Sequence, residues 1–360
     1  MVDYIGVQRV QALVREQGTA RFIAGLAHEI EADYRRWNVF TKSARHATYS
    51  PLGVIELMPA SDDRQYAFKY VNGHPKNPAQ GLLTVMAFGI LADLETGYPL
   101  AVAEMTLTTA LRTAATSALA ARALARPGSR VMALIGNGSQ SEFQTIAFYD
   151  QLGVREVRLY DIDPHATDKL VANLAAESLP DLRVVRCSSV AAAVAGADIV
   201  TTITADKRNA IILTPEMIRP GMHLNAVGGD CPGKTELHPD ILRRTDARVV
   251  VEYEPQSRHE GEVQQMPADF PVLALADVLS GRCSARSSER DVTVFDSVGF
   301  ALEDFAALRY VYRLHRQQRG DRFDIDLIPE LADPKDLYAL LRTPSRARER
   351  PAPLTEVARA

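Results

Sequence analysis

The chain has 360 residues, room for two domains of ordinary size, and 46% of them are apolar, enough for a sizeable core. Its 41 basic and 45 acidic residues leave a net charge of -4, which offers no general attraction to nucleic acid or to an anionic membrane. Cys187, Cys231 and Cys283 lie far apart with no Cys-x-x-Cys pair, which excludes a disulfide framework or zinc knuckle. No window approaches the ~18 apolar residues of a membrane span, and Met1–Gly6 lacks a charged-then-apolar leader, so a reducing cytoplasm is expected.

Residues 1–38 read as helical, with Val10, Leu13, Phe22, Ile23, Leu26, Ile30 and Tyr34 at roughly helical spacing. From Ser43 to about Met105 the pattern changes to strands. Alternation over Gly53–Met58 puts Val54, Glu56 and Met58 on one face and Ile55 and Leu57 on the other. Over Arg64–Val71, Tyr66, Phe68 and Tyr70 share a face, and Lys69 lies on the opposite one with Gln65, Ala67 and Val71. Glu56 and Lys69 therefore sit inside core-like strands, either at a wet sheet edge or facing a polar cavity. Met105–Thr109 opens an Ala-rich helix to about Ala125, with Thr106 or Thr108 as caps, and Pro127-Gly128 ends it. A domain boundary is placed there.

From Ser129 to about Asp296, strands at 130–135, 156–161, 183–187, 198–202, 222–227, 248–252 and 292–295 alternate with helices, the rhythm of a doubly wound parallel sheet. Residues from about Glu303 to Arg316 are helical again and are expected to return to the first domain. Beyond Arg342 the charged, Pro-rich tail is expected to be disordered. The expected division is 1–128, completed by about 303–342, then 129–302, with 343–360 as the tail.

The most informative stretch is the apolar run that ends in Gly136-x-Gly138 and passes into a helix over Ser139–Gln151. Roughly 20–25 residues on, a second apolar run ends in Asp161, the layout of a dinucleotide site. Glycines let backbone N–H groups approach a pyrophosphate at a helix N-terminus, and the acid receives the ribose hydroxyls. The competing reading is a tight turn without a ligand. Ser141 replaces the third glycine of the usual fingerprint and is small enough for close packing. Asp161-Ile-Asp163 would repel a 2′-phosphate, which favours NAD over NADP.

Asn225-Ala-Val-Gly-Gly-Asp230-Cys-Pro-Gly-Lys234 follows an apolar strand, placing Asp230 at the carboxyl end of a sheet strand, where ligands bind in open α/β folds. There it could exchange protons with an amine as hydride leaves the neighbouring carbon. The alternative is a turn aspartate that caps its own backbone. Arg45, Lys69 and Arg112 are each flanked by core-like residues, and buried cations need an anion. A substrate carboxylate is one solution; pairing with Glu56 or Glu104, or exposure at a domain edge, is the other. The eight histidines show no metal spacing, and His46, His74 and His259 read as loop residues; no metal is expected. Ser188-Ser189 and Arg282–Arg290 read as solvated loops.

Taken together, Arg45 with Ser50–Pro59, Phe68–Asn72, Arg112–Ala115, Ile135–Gln144, Val227–Leu237 and Asp296–Gly299 resemble the ornithine cyclodeaminase/μ-crystallin family. The likeness is greatest to its bacterial ornithine cyclodeaminase branch, and Gly-Gly-Asp-x-Pro-Gly-Lys is its most specific part. The resemblance implies an α/β protein: a Rossmann-like doubly wound sheet domain beside an α+β domain for substrate binding and dimerisation. It implies a homodimer, NAD as cofactor and an amino acid as substrate. Arg45, Lys69 and Arg112 would clamp the carboxylate, Glu56 would help receive the side-chain amine, and Met58, Val298 and Gly299 would line the pocket. Asp230 would be the acid/base. Gly136, Asn137, Gly138, Ser139, Gln140, Asp161, Thr202, Asn225, Ala226, Val227, Gly228 and Lys234 would contact NAD, with Thr84, Arg112 and Ser297 nearby. The implied reaction turns L-ornithine into L-proline and ammonia with recycled NAD. Lysine cyclisation, a net ketimine reductase or alanine dehydrogenase, and a non-catalytic binding protein are the competing readings.

Overall fold

Two sheets of eight strands each organise the chain. The computed structural model describes residues 1–205, 210–318 and 323–342; the tail 343–360 lies outside them. The first part runs β1 (Val2–Ile5), α1 (Val7–Gln17), α2 (Thr19–Arg35), β2 (Thr41–Lys42), β3 (His46–Ser50), β4 (Gly53–Ser61), β5 (Gln65–Gly73), β6 (Ala87–Asp93), β7 (Pro99–Glu104) and α3 (Thr106–Leu124). The second runs β8 (Val131–Ile135), α4 (Ser141–Leu152), β9 (Glu156–Tyr160), α5 (Pro164–Ala176), β10 (Arg183–Arg186), α6 (Val190–Val194), β11 (Ile199–Thr202), β12 (His223–Ala226), α7 (Pro239–Leu242), β13 (Ala247–Val251), α8 (Glu254–Glu260), β14 (Leu273–Ala274), α9 (Leu275–Leu279) and β15 (Val292–Asp296). It ends with α10 (Ala301–Gln317), β16 (Phe323–Ile325) and α11 (Ala339–Arg342).

The first sheet has the order β16-β1-β7-β6-β5-β4-β2, with β3 also paired to β4. Its centre is an antiparallel meander, and β1 lies parallel to β7. Reading residues 1–38 as helix throughout was therefore wrong at the start: Val2–Ile5 pairs on both sides, and helical spacing begins only after Gly6. Along β4 and β5 burial alternates as the sequence pattern requires, so Glu56 and Lys69 face inward with Met58. Helices α2 and α10 pack together, and α10 lies against β4, β5 and β6. Gly89 permits that approach, since a Cβ there would meet Leu308 at 2.9 Å. The other face leaves Ile55, Leu57, Tyr66 and Phe88 exposed.

The second sheet is all parallel, in the order β10-β9-β8-β11-β12-β15-β13-β14. Chain order reverses between β8 and β11, and such a switch point opens a crevice at the carboxyl ends of the strands. Helix α3 joins the two sheets. It meets α2 and β6 on one side and α4, β12 and β15 on the other. Being buried nearly all round, it needs small side chains, which its alanines supply. Neither Thr106 nor Thr108 caps it. The Glu104 carboxylate does, accepting the Leu107 N–H at 2.7 Å, while Thr106 ties to Ala87 and Thr108 to the Glu104 carbonyl. His46 and His259, expected in loops, lie in β3 and α8. The Arg282–Arg290 stretch is not simply solvated, because Arg286 donates to the carbonyls of Leu124 and Asp291.

His223 is fully buried on β12, with Nδ1 3.0 Å from Thr293 Oγ1. Burial, and then Arg286, push its pKa down to about 3, so the folded chain holds it neutral. The unfolded chain takes up a proton below about pH 6.5. Its contribution to stability is therefore complete above that pH and is lost as pH falls toward 3. Replacing His223→Gln should flatten the acid side of the stability profile between pH 6.5 and 4, measured as the melting midpoint against pH. Parallel profiles for the two proteins would refute this.

Candidate active site

The switch point is built from three loops. Gly136 leaves β8 with φ +97°, and a Cβ there would meet the Ile203 carbonyl at 2.6 Å, so the loops after β8 and β11 touch only because the position is glycine. A Cβ at Gly138 would meet nothing within 4 Å, and Gly138 and Ser139 are exposed at the start of the twelve-residue α4. Ser141, buried, donates to the Gly138 carbonyl at 2.6 Å and holds the turn. Asp161 stands at the end of β9 as expected, with Oδ2 accepting the Asn137 N–H at 2.6 Å and Oδ1 that of Asp163. The Asn137 amide points inward to Thr167, at 2.9 Å. From the third loop, the Val227 and Gly228 N–H groups donate to the Thr202 carbonyl.

This cradle fits a dinucleotide. The positive end of α4 and the open face of Gly138-Ser139 suit a pyrophosphate. Buried polar atoms without a hydrogen bond, on Gln140, Thr202 and Asn225, border the same crevice. Lys234 is buried, with Nζ 2.7 Å from the Thr204 carbonyl and 3.4 Å from Asp230 Oδ1. A Cβ at Gly228 would overlap the Glu236 carboxylate, which itself binds Thr204.

Beside the crevice the three cations converge. Arg112, from the second turn of α3, donates from Nη1 to Glu303 at 2.8 Å and from Nε to Asp304 at 3.0 Å. Lys69 reaches the same Asp304 at 2.8 Å. Arg45 is held by Glu56 at 3.1 Å, by Glu260 at 3.1 Å, and by the carbonyls of Val298 and Gly299 at 2.6 and 2.7 Å. Gly299 is where two cations meet, since a Cβ there would lie 2.9 Å from the Arg112 guanidinium. All three cationic side chains are nearly inaccessible. Burial, opposed by Asp304, lowers Lys69 to about 8, so it is charged at neutral pH. Both structural pairing and convergence therefore hold, with partners other than Glu104.

Glu252, at the end of β13, fixes the tripeptide between the two halves. It accepts the Ser297 hydroxyl and the N–H groups of Val298 and Gly299, all within 3.0 Å. Burial, then the neighbouring Glu303, push its carboxyl well above the ordinary range. Tyr34 donates to the other side of Glu303 at 2.9 Å. Asp230 sits at the mouth, its side chain 43% exposed and close enough to Arg45 and Glu260 to act on their charges.

Sequence reasoning missed Glu252, Glu260, Glu303 and Asp304. Two adjacent acids in the first turn of an otherwise apolar helix were a usable signal for Glu303-Asp304. Glu252, directly after an apolar strand, carried a weaker one. The Thr84 carbonyl accepts the His74 N–H at 2.8 Å, just after β5.

Residues 7–319 match the model of the ornithine cyclodeaminase/mu-crystallin family. The chain belongs to this family. It is 54% identical over 341 residues to an ornithine cyclodeaminase of Brucella suis biovar 1 (strain 1330), covering 95% of this chain and 94% of that one. The structure of a lysine cyclodeaminase, described as the basis for recognition of L-lysine, L-ornithine and L-2,4-diaminobutyric acid, superposes with a TM-score of 0.86 at 30% identity, covering 94% of this chain and 99% of that one. An archaeal alanine dehydrogenase dimer with bound NAD gives 0.80 at 30% identity, covering 90% and 99%. The shared fold is thus an α/β one with a Rossmann-like sheet, and NAD is the cofactor that this cradle takes.

In this family member, Asp304 is one buried carboxylate serving two cations. Removing one partner of a buried charge cluster costs about 3–5 kcal/mol. Asp304→Asn should lower unfolding stability by that order in chemical denaturation, and an unchanged midpoint would show the cluster to be energetically neutral.

Proposed function

We propose that the protein is a cyclising deaminase that converts L-ornithine into L-proline and ammonia, with NAD recycled in place. One observation carries the reading: a cationic end and an acidic end meet at the mouth of a dinucleotide crevice. Arg112, Lys69 and Arg45 offer donors for an α-carboxylate, Arg112 and Arg45 around Gly299, while Glu56, Glu260 and Asp230 gather around Arg45. A diamino acid carries one anionic and two cationic groups, which matches that division. Support also comes from the 54% identical relative, whose name is that activity.

In this reading residues 1–128, completed by about 303–342, form the substrate-binding and dimerisation domain, and 129–302 hold the nucleotide. Gly136, Asn137, Gly138, Ser139, Gln140, Asp161, Thr202, 225–228, Lys234 and Ser297 line the cofactor's path, and Met58, Val298 and Gly299 line the substrate's. When bound, NAD supplies a two-electron acceptor for the α-carbon and returns the pair to the ring. The chain's residues are left with binding and proton work. Arg112 and Lys69 fix the carboxylate, and Asp230 takes a proton from the α-amine as the α-carbon reaches the imine level. Attack by the δ-amine closes a five-membered ring, a step that holding both ends of the substrate makes intramolecular. Asp230 then returns its proton to the α-nitrogen and, once ionised, takes one from the ring nitrogen, whose lone pair forms the cyclic imine as the Cα–N bond breaks and ammonia leaves.

A homodimer through the outer face of the first sheet accounts for exposed Ile55, Leu57, Tyr66 and Phe88, a contiguous apolar set on paired strands. The three cysteines are free, in keeping with a reducing cytoplasm. Among the described residues no helix is long and apolar enough to cross a membrane.

The test offers L-ornithine and L-lysine together with a trace of NAD⁺ and follows products by mass spectrometry. Many turnovers of proline and ammonia without accumulating absorbance at 340 nm are expected. Stoichiometric reduction of the nucleotide would instead make the protein a net oxidoreductase. One methylene changes binding by about 1–3 kcal/mol, so pipecolate should form more slowly rather than not at all. Asp230→Asn should lower turnover by about 10²–10⁴-fold while leaving NAD affinity intact. Near-normal proline formation in that variant would remove Asp230 from the mechanism.

A further inference from the structure

Glu260 is the last residue of α8, and its side chain is 2% exposed. A carboxylate at the C-terminal end of a helix faces the negative end of the peptide dipoles, so local stability does not explain it. Its neighbours come from four separate segments. Oε2 lies 3.1 Å from Arg45 Nε, ahead of β3, without forming a hydrogen bond, and Oε1 accepts the Tyr49 hydroxyl of β3 at 3.3 Å. Glu56 of β4 and Asp230 of the loop after β12 face it as like charges. Around Arg45 there are thus three carboxylates, with Lys234, 3.4 Å from Asp230, as the second cation. At the other end, Arg112 and Lys69 are paired with Glu303 and Asp304. The surplus of negative charge therefore lies at the Arg45 end of the cluster rather than at Arg112 and Lys69.

We propose that Glu260 is the residue that recognises the substrate's side-chain ammonium and takes its proton, releasing the neutral amine that closes the ring. The inference rests on the cyclodeaminase reading above. In the step, one N–H bond of the δ-ammonium breaks and its proton moves to the Glu260 carboxylate. The freed lone pair forms the bond from δ-nitrogen to α-carbon. The π pair of the imine passes to the α-nitrogen, which Asp230 protonates. Atoms and charge balance without a further reactant. Burial first, then Glu56 and Asp230, against the pull of Arg45, hold Glu260 up to about 7, where a carboxylate can both accept and release a proton at neutral pH.

Because Glu260 also touches Arg45, the test must separate recognition of the distal amine from support of the carboxylate clamp. Norvaline keeps the α-carboxylate and α-amine of ornithine but lacks the δ-nitrogen. Calorimetric titration of the NADH-bound protein should show ornithine preferred over norvaline, and Glu260→Gln should erase at least tenfold of that preference with norvaline affinity little changed. Equal weakening of both ligands would reduce Glu260 to a support for Arg45 and overturn the proposal. Tyr49→Phe provides a second, milder probe. Loss of its hydroxyl donor disfavours ionised Glu260, so the acid limb of kcat/KM for ornithine should move to higher pH, and an unmoved limb would count against the assignment. If the unaltered protein makes no proline from ornithine, the underlying reading fails, an outcome distinct from either variant result.

Discussion

Everything at the site depends on charges that the fold has taken out of water. Asp304 stands between Lys69 on β5 and Arg112 on α3, so one carboxylate ties the central strand of the first sheet to the helix that joins the two sheets. Its neighbour Glu303 holds the second face of Arg112 and, through Tyr34, reaches α2. Such a cluster contributes little net stability against an apolar replacement, because desolvation offsets most of the attraction. Its cost is repaid in geometry: each cation is left with a fixed direction and unspent donors. Among the described residues Lys69 spends its ammonium on Asp304 alone, and Arg112 bonds its acids through Nε and Nη1, leaving its Nη2 edge.

The tripeptide Ser297-Val-Gly299 transmits that order to the nucleotide side. Glu252 receives one hydroxyl and two N–H groups from it, and the Val298 and Gly299 carbonyls in turn receive Arg45. Strand β15 leads directly into it, while the first strand beyond the switch point, β11, carries Thr202 and the carbonyl that gathers Val227 and Gly228. A shift of the second sheet relative to the first would therefore break bonds to Arg45. The cation cluster and the cofactor cradle thus share one frame.

Much of the fold was legible because periodicity reports burial. Every long parallel strand followed an apolar run, and alternation over Gly53–Met58 and Arg64–Val71 grouped Glu56 with Met58 and Lys69 with Ala67 and Val71, faces that the fold buries, so that of the two alternatives left open the wet sheet edge falls away. The misses have a common cause. Val2–Ile5 is too short to show alternation, and its strand character comes from partners far along the chain, β7 and β16. Likewise a cap by Glu104 from outside α3 competes with the nearer threonines only once β7 has fixed its direction. Site residues divide the same way. Glycine and aspartate patterns in the two nucleotide loops are local and readable, whereas Glu252, Glu260 and Asp304 acquire meaning from residues 45 to 235 positions away. Local sequence carries no trace of such pairings beyond an acid placed where an apolar residue would pack.

Fold alone would not choose among the chemistries this architecture supports, since an alanine dehydrogenase superposes nearly as well as a lysine cyclodeaminase. Charge does. A substrate with a methyl side chain would satisfy Arg112 and Lys69 yet leave Glu56 and Glu260 as an acidic pair with Arg45 as their one shared cation. These carboxylates are already out of water, so an apolar side chain beside them would leave their surplus charge uncompensated, at about 1–3 kcal/mol for each unsatisfied polar group and more for a charged one. A second ammonium on the substrate removes that penalty by completing the pairing. On the proposed reading the selective element is a deficit of positive charge around Glu56 and Glu260, and the ligand that relieves it most is the one with a cation on a flexible arm.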